Sequence, residues 1–441
     1  LEEVNNLVEA PTELIGTFDE KHLDLPAEVL VGVMKKHQRY FPVYSKTGQL
    51  MPYFITVRNG NDQHLDVVAH GNEEVIQARF ADAAFFMRED SSKTLEQMLP
   101  KLDSLTFQPV LGSMRAKSER VLAITRAISG SLGLSEAERS IAERAAYLSK
   151  ADLVTNMVVE MTSLQGTIGK FYALRDGESE LVAQAIEEQY MPRQAGGASP
   201  SSKIGLALGI ADRLDSLVGL FAVNMAPTGT KDPFGLRRAA IGLLQNLLQL
   251  KVEFDLRNGI QAAAENQPVP VSAEQQQAVF DFISGRLQNM LLDEGHRYDA
   301  VNAVLAAQGS NPARALGAID TLETATQGNA WSETLPAFSR CVRITRDLEQ
   351  VFTVDPAGLT LAEEKDLLAA VERSESALTN QRTMDVFLHQ VENMVPAINR
   401  FFENVLVMDK DQAVKQNRLG ILQRIAALSN GLADLSFMEG F

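Results

Sequence analysis

Residues 160–173 read Glu160-Met161-Thr162-Ser163-Leu164-Gln165-Gly166-Thr167-Ile168-Gly169-Lys170-Phe171-Tyr172-Ala173, and they open a punctuated run that extends to Arg238. The run passes through Gly177-Glu178, Glu188-Gln189-Tyr190-Met191-Pro192 and Ala211-Asp212-Arg213-Leu214-Asp215. It then reaches Pro227-Thr228-Gly229-Thr230-Lys231-Asp232-Pro233-Phe234, with Arg237 and Arg238 one helical turn later. Glycines, prolines and acids stand between helical segments, which is unusual for a stretch that has only to pack.

From about Leu111 onward the periodicity is helical. Residues 114–132 and 135–161 read as long amphipathic segments, the second with Ser135 and Glu136 as its N-terminus. Ser199-Pro200 predicts the start of the next helix, where Ile210, Leu214, Leu217, Val218 and Phe221 form one apolar stripe. Asp212 and Asp215 fall roughly opposite that stripe, so the spacing predicts a solvated face for both. Asp232-Pro233 predicts a capped start, with Asp as N-cap and Pro at the first helical position, for a helix from Phe234 to about Leu250. Asn266-Gln267-Pro268-Val269-Pro270 reads as the clearest linker. A break at Gly309-Ser310-Asn311-Pro312 divides the following helices, and a last helical block starts near Trp331. Its closing helices carry Ile398, Phe401, Phe402, Val405 and Leu406, then Leu419, Leu422 and Ile425.

Strand signals are confined to the first hundred residues. Residues 14–18 are short and apolar, and residues 40–44 and 50–57 flank Lys46-Thr47-Gly48 as a hairpin. Pro26 opens a helix with Val29, Leu30, Val33 and Met34 on one face. A second helix carries Val75, Ile76, Arg79, Phe80, Ala83 and Met87. Phe85-Phe86 and Phe401-Phe402 both read as mainly core.

The 441 residues allow roughly two to four domains. With 45% hydrophobic and 22% charged residues the composition is that of a globular protein. A net charge of −16 argues against a broadly basic nucleic-acid binder and leaves such contacts to local Lys/Arg clusters. The single cysteine, Cys341, excludes an internal disulfide framework and fits a reducing compartment. No apolar run approaches a membrane span, and no signal peptide opens the chain. The start at Leu1-Glu2-Glu3, without methionine, is expected of an N-terminally incomplete chain.

A metal-dependent phosphohydrolase of the histidine-aspartate type needs imidazoles and carboxylates converging on a metal. The histidines are His22, His37, His64, His70, His296 and His389, so the helical block around Asp152 and Asp212 has none. Residues 227–233 lack the spacing of a phosphate loop. They do precede a helix N-terminus beside Lys231, Arg237 and Arg238, which fits a nucleic-acid phosphate or, equally, a capped helix with surface arginines. Arg340, Arg343 and Arg346 form a stripe that is either a phosphate contact or a solvated face paired with Asp347 and Glu349. No nucleophile–base constellation stands out.

Four blocks together resemble the β subunit of the bacterial-type heterotetrameric glycyl-tRNA synthetase. The first is Leu25-Pro26-Ala27-Glu28-Val29-Leu30 with Met34-Lys35-Lys36-His37-Gln38-Arg39-Tyr40-Phe41. The second is Gly71-Asn72-Glu73 with Ala78-Arg79 and Asp82-Ala83. The third is the run from Glu160 to Arg238. The fourth is Phe401-Phe402-Glu403-Asn404-Val405-Leu406-Val407-Met408 with Asn417-Arg418-Leu419. Met161, Ile168, Arg343, Glu403 and Lys415 depart from the family's usual residues.

The resemblance implies a mainly α, multidomain fold. Residues 1–108 would be a partial α/β N-terminal unit and 109–252 a degenerate histidine-aspartate-like helical domain, with Lys150-Ala151-Asp152 where a working site has His-Asp. Residues 253–330 would be a helical linker region, and 331–441 a helical anticodon-binding-like bundle similar to that of arginyl-tRNA synthetase. It further implies a glycine–tRNA ligase β subunit that positions tRNA(Gly), with no catalytic residue, metal or cofactor on this chain. ATP and Mg2+ would bind the partner α subunit of an α2β2 heterotetramer, in the cytoplasm or a plastid stroma, with no membrane or DNA partner. Lys231, Arg237, Arg238, Arg340, Arg343, Arg346, Asn417 and Arg418 are the candidate tRNA contacts. The competing readings are the phosphohydrolase and a noncatalytic helical scaffold.

Overall fold

The computed structural model describes residues 2–441, apart from the side chains at positions 2, 3, 37 and 38. Leu1 and the side chains of His37 and Gln38, from the first family-like block, therefore lie outside the described residues. The chain forms two compact units: residues up to Asn224 with Ala262–Val271, and Met225–Gln261 with Ser272–Phe441. Among the described residues no helix is long and apolar enough to cross a membrane.

The first unit begins with an antiparallel sheet of β1 (Pro11–Thr17), β2 (Phe41–Tyr44) and β3 (Leu50–Asn59), in the order β1-β3-β2. The expected hairpin is the β2–β3 connection, where Gly48 takes φ 81°. Phe54 is the sheet's buried anchor: it stacks on Tyr40 at 4.5 Å, and a Cβ at Gly16 would lie 2.3 Å from its ring. Helix α1 (Ala27–Val33) follows Pro26 as expected, and α2 (Leu65–Asp90) buries Ile76, Phe80, Ala83 and Met87. Phe85 is a correction: on α2 it points away from that stripe and is half exposed.

The helical part of this unit contains α3 (Met114–Ile128), α4 (Glu136–Leu148), α5 (Asn156–Glu160), α6 (Thr167–Arg175), α7 (Glu180–Glu188) and α8 (Lys203–Ala222). The Ser135 start is a reciprocal capping box with Glu138. The segment expected to run unbroken to Met161 stops at Leu148. A short 3-10 turn, Ala151–Val154, follows, and α5 then restarts on a Thr155 cap. Asp90, distant in sequence, fixes that restart by accepting from Asn156 N at 2.8 Å and Met157 N at 3.0 Å. Helix α8 likewise starts at Lys203, later than Ser199-Pro200. Ser202 caps it, and Glu188 accepts from the backbone N–H of Ser201 and Ser202. The expected linker is pinned here as well, since Gln267 donates to the Asp215 carboxylate at 3.1 Å.

The second unit contains α9 (Leu236–Gln249), α10 (Leu256–Glu265, whose last turn belongs to the first unit), α11 (Ala273–Asp293), α12 (Tyr298–Gln308) and α13 (Pro312–Thr326). It closes with α14 (Trp331–Thr345), α15 (Ala362–Asn380), α16 (Met384–Asn404) and α17 (Gln412–Ala427). Helix α9 begins two residues after the expected Phe234, because Gly235 at φ 67° supplies a left-handed entry that Pro233-Phe234 cannot. In α14–α17, Phe338 meets Phe387 edge-on at 5.6 Å above a core that includes Val391, Phe401, Leu419, Leu422 and Ile425.

Candidate functional site: a buried charge cluster and a basic helical face

Along α3, Lys117 occupies the same stripe as Val121, Ile124 and Ile128, so its ammonium enters the core. Lys117 Nζ lies 2.9 Å from Asp215 Oδ2 and 3.2 Å from Asp212 Oδ1. One turn on, Arg120 donates from Nε to Asp215 Oδ1 at 2.6 Å. Lys150, just past α4, sits 3.1 Å from the same Asp212 oxygen. Asp215 is wholly buried and Lys117, Lys150 and Asp152 nearly so. This overturns the solvated face expected for Asp212 and Asp215. Helix α8 is packed on almost every side; Asp215 is buried and Asp212 half-buried, because cations from α3 and the end of α4 meet them there.

The electrostatics follow from that pairing. Burial alone would raise the Asp212 and Asp215 carboxyls, but Lys117 with Lys150 or Arg120 holds both below the ordinary range. Burial pulls Lys117 down, yet two carboxylates more than offset it, whereas for Lys150 burial and the nearby Lys117 outweigh Asp212 and Asp152 and hold it below its usual value. Asp152 differs. Burial pushes it up to about 6, against a Gly166 N–H that donates to Oδ2 at 2.5 Å, while Oδ1 has no hydrogen-bond partner.

Two of the glycines in the run are explained by this cluster. Gly166 is at φ 81°, and a Cβ there would approach the Tyr190 ring to 2.5 Å. A Cβ at Gly169 would lie 2.7 Å from Ile186 and 3.0 Å from Asp152 Oδ2. Tyr190 in turn lies under Lys150, with Nζ 4.5 Å from the ring centre. Arg213 is spent on three carbonyls, of Gln189, Gly209 and Met191.

Chemically, the cluster does not fit a divalent metal. Asp212 and Asp215 are already neutralised by fixed ammonium and guanidinium groups, which would repel an incoming cation, and among the described residues no imidazole joins them. The phosphohydrolase reading therefore has no support in these residues. Sequence reasoning missed Lys117, Arg120 and Tyr190. The available signal was a lysine at a core-facing position of an otherwise apolar helical stripe.

An Asp buried near-neutral gives a pH-dependent prediction. The folded pKa of Asp152 is raised, so its protonated form contributes stability at low pH that is lost as pH rises through about 6. Asp152→Asn should therefore stabilise the protein by about 1–2 kcal/mol at pH 8. The gain should shrink below pH 5. Thermal melts of both proteins at the two pH values check this, and an equal or opposite pH trend would refute it.

The basic candidates are distributed over the second unit. Lys231 and Arg238 are exposed, and Arg237 is half-buried with its guanidinium on Gly229 O. The helix start expected to offer free N–H groups does not do so fully. Asp232 accepts from Leu236 N at 2.8 Å and Arg237 N at 2.9 Å, placing a carboxylate where a phosphate would bind. Arg340 and Arg343 on α14, with Arg346 at its C-terminal cap, emerge together as an exposed row. Arg340 contacts Asn399 and lies over Phe402, Arg343 contacts the Phe441 carbonyl, and Arg346 is 3.7 Å from Asp347. Glu349 makes no ion pair with this row.

Asn417 and Arg418 are a correction, because both side chains face inward. Asn417 brackets the Asp355 backbone, accepting from its N–H at 2.7 Å and donating to its carbonyl at 2.8 Å. Arg418 is held by Glu364 at 2.6 Å, Asp409 at 2.8 Å and the Leu406 carbonyl.

Residues 1–306 match the family model described as glycyl-tRNA synthetase beta subunit, and residues 334–437 match a DALR anticodon binding domain. The glycine–tRNA ligase beta subunit of Moorella thermoacetica is 39% identical over 446 residues, covering 99% of this chain. That of Desulforudis audaxviator is 40% identical over 444 residues, again covering 99%. The chloroplastic/mitochondrial glycine–tRNA ligase 2 of Arabidopsis thaliana is 39% identical over 443 residues, covering all of it. The chain spans 64% of the length of the two bacterial relatives and 41% of the plant one. On these matches, the chain belongs to the glycyl-tRNA synthetase β-subunit family.

Proposed function

We propose that this chain is the tRNA-positioning part of a glycine–tRNA ligase. It binds tRNA(Gly) while a separate α subunit, carrying glycine, ATP and Mg2+, performs the chemistry in an α2β2 assembly. The carrying observation is the order of the two family matches, with the row of Arg340, Arg343 and Arg346 exposed within the anticodon-binding one. Guanidinium groups on an otherwise acidic chain supply phosphate contacts that position a tRNA, while exposed side chains around them reach unstacked bases. The buried cluster supports the same reading by elimination of metal chemistry, leaving the central helices as scaffold. A bacterial cytoplasm or an organelle stroma is the compartment this role implies.

The complete β chain containing this sequence, mixed with its cognate α subunit and tRNA(Gly), is expected to charge glycine. An α subunit that charged at the same rate alone would remove the proposed role. Within the mixture, Arg340→Ala/Arg343→Ala/Arg346→Ala should weaken tRNA binding roughly tenfold and flatten its salt dependence by about two to three counterions. Arg237→Ala/Arg238→Ala should weaken it roughly threefold with no loss of helix. Filter binding across a salt series, with circular dichroism as the folding control, reads both; unchanged affinity and slope would make these arginines ordinary surface groups.

A further inference from the structure

Among the described residues, one group of an imidazole and two carboxylates has the chemistry of a metal site. His296 follows α11, and Asp320 and Glu323 stand three residues apart on one face of α13. His296 Nδ1 is 3.2 Å from Glu323 Oε2 and 3.9 Å from Asp320 Oδ1, and one ligand atom from each residue lies within 4.8 Å of the others.

We propose that His296, Asp320 and Glu323 bind a divalent transition metal, Zn2+ in particular, with the fourth position open to water. A tetrahedral zinc with ligands at about 2.0–2.1 Å holds its donors about 3.3 Å apart. One pair already has that spacing, and Asp320, 61% exposed, is free to rotate and close the rest. The donor set, one imidazole and two carboxylates, favours zinc over Mg2+, which prefers all-oxygen octahedral coordination.

Two of the three ligands are oriented before any metal arrives. Gly295 at φ 97° ends α11 in a Schellman turn, in which His296 N–H donates to Leu291 O and Gly295 N–H to Leu292 O. That turn fixes the backbone beneath the imidazole. Glu323 Oε1 accepts from Arg297 N at 2.5 Å, which leaves Oε2 turned toward His296. The Arg297 guanidinium does not quench the site, because Asp299 engages it at 3.0 and 2.7 Å. A bound metal would tie the α11–α12 turn to α13.

The test uses the purified chain, stripped with chelator and re-equilibrated with ZnCl2. Elemental analysis after gel filtration should find one zinc per chain, and the thermal midpoint should rise with zinc but not with equal MgCl2. Co2+ in place of zinc should show the visible bands of a low-coordinate site. Asp320→Asn, at an exposed position, should weaken zinc binding by at least about tenfold, and His296→Ala by about a hundredfold. No retained zinc, the same midpoint shift with Mg2+, or undiminished zinc binding in both variants would each overturn the site. The last outcome would also mark the zinc as held by other surface histidines.

Discussion

Asp215→Ala is expected to destabilise the first unit by about 3–5 kcal/mol, because it strips the buried Arg120 of its counter-charge and leaves Lys117 with Asp212 alone. The Asp215 side chain is wholly inaccessible and holds Lys117 at 2.9 Å, Arg120 at 2.6 Å and Gln267 at 3.1 Å. Lys117 would retain Asp212, but Arg120 would keep only the Leu111 carbonyl, and its charge would remain in the interior. Asp215→Asn should cost less, since the amide retains an acceptor for one of these donors. Urea unfolding should show a lowered midpoint at unchanged slope. A loss below about 1 kcal/mol would mean that water enters and solvates the cations, and the network would not hold the fold together. The same pairing fixes the acid response. Asp212 and Asp215 are held below their ordinary values, so their contribution is complete above about pH 4 and lost as pH falls through the depressed folded values.

Arg418→Met is the second large effect, with an expected cost of about 3–5 kcal/mol to the C-terminal helices. Glu364 is buried and uses Oε2 to accept from Thr360 N and Leu361 N at 2.9 and 3.0 Å at the start of α15, which leaves Oε1 for Arg418. Without the guanidinium, that oxygen is a buried anion with no cation. The Leu406 carbonyl and Asp409 lose their donor in the same step. This separates a structural arginine from a tRNA contact. If Arg418 only holds α17 to α15, the variant melts earlier, and its tRNA affinity falls only where the unfolded fraction rises. Weakened tRNA binding at a temperature where the variant is fully folded would show instead that Arg418 reaches the nucleic acid.

Which parts of this were legible in advance depended on how local their causes are. The β2–β3 hairpin, the Ser135 start and the α17 stripe rest on turn residues, a capping box and apolar periodicity, all contained within a few positions. The Arg340, Arg343 and Arg346 row was legible for the same reason, since helical spacing alone puts residues three apart on one side. Misread were the places where a distant side chain decides the outcome. Asp90 restarts the chain at Asn156, Glu188 delays α8 to Lys203, and Asp232 occupies the helix start that looked open to phosphate. Asp212 and Asp215 belong to the same class. Opposite an apolar stripe an acid is ordinarily solvated, and nothing near them in sequence announces that Lys117, Arg120 and Lys150 arrive from elsewhere.

By itself, then, the sequence determined the family, the helical class, the α/β start and the absence of histidine from the central helices, because each is a matter of residue identity and short-range spacing. Tertiary structure alone decided that Asp152, Asp212, Asp215, Gly166 and Gly169 meet in a packed cluster with Lys117, Arg120 and Lys150, and that Arg418 points inward. Those outcomes depend on which charges meet in a low-dielectric core, where a single counter-ion decides whether a carboxylate is buried or exposed.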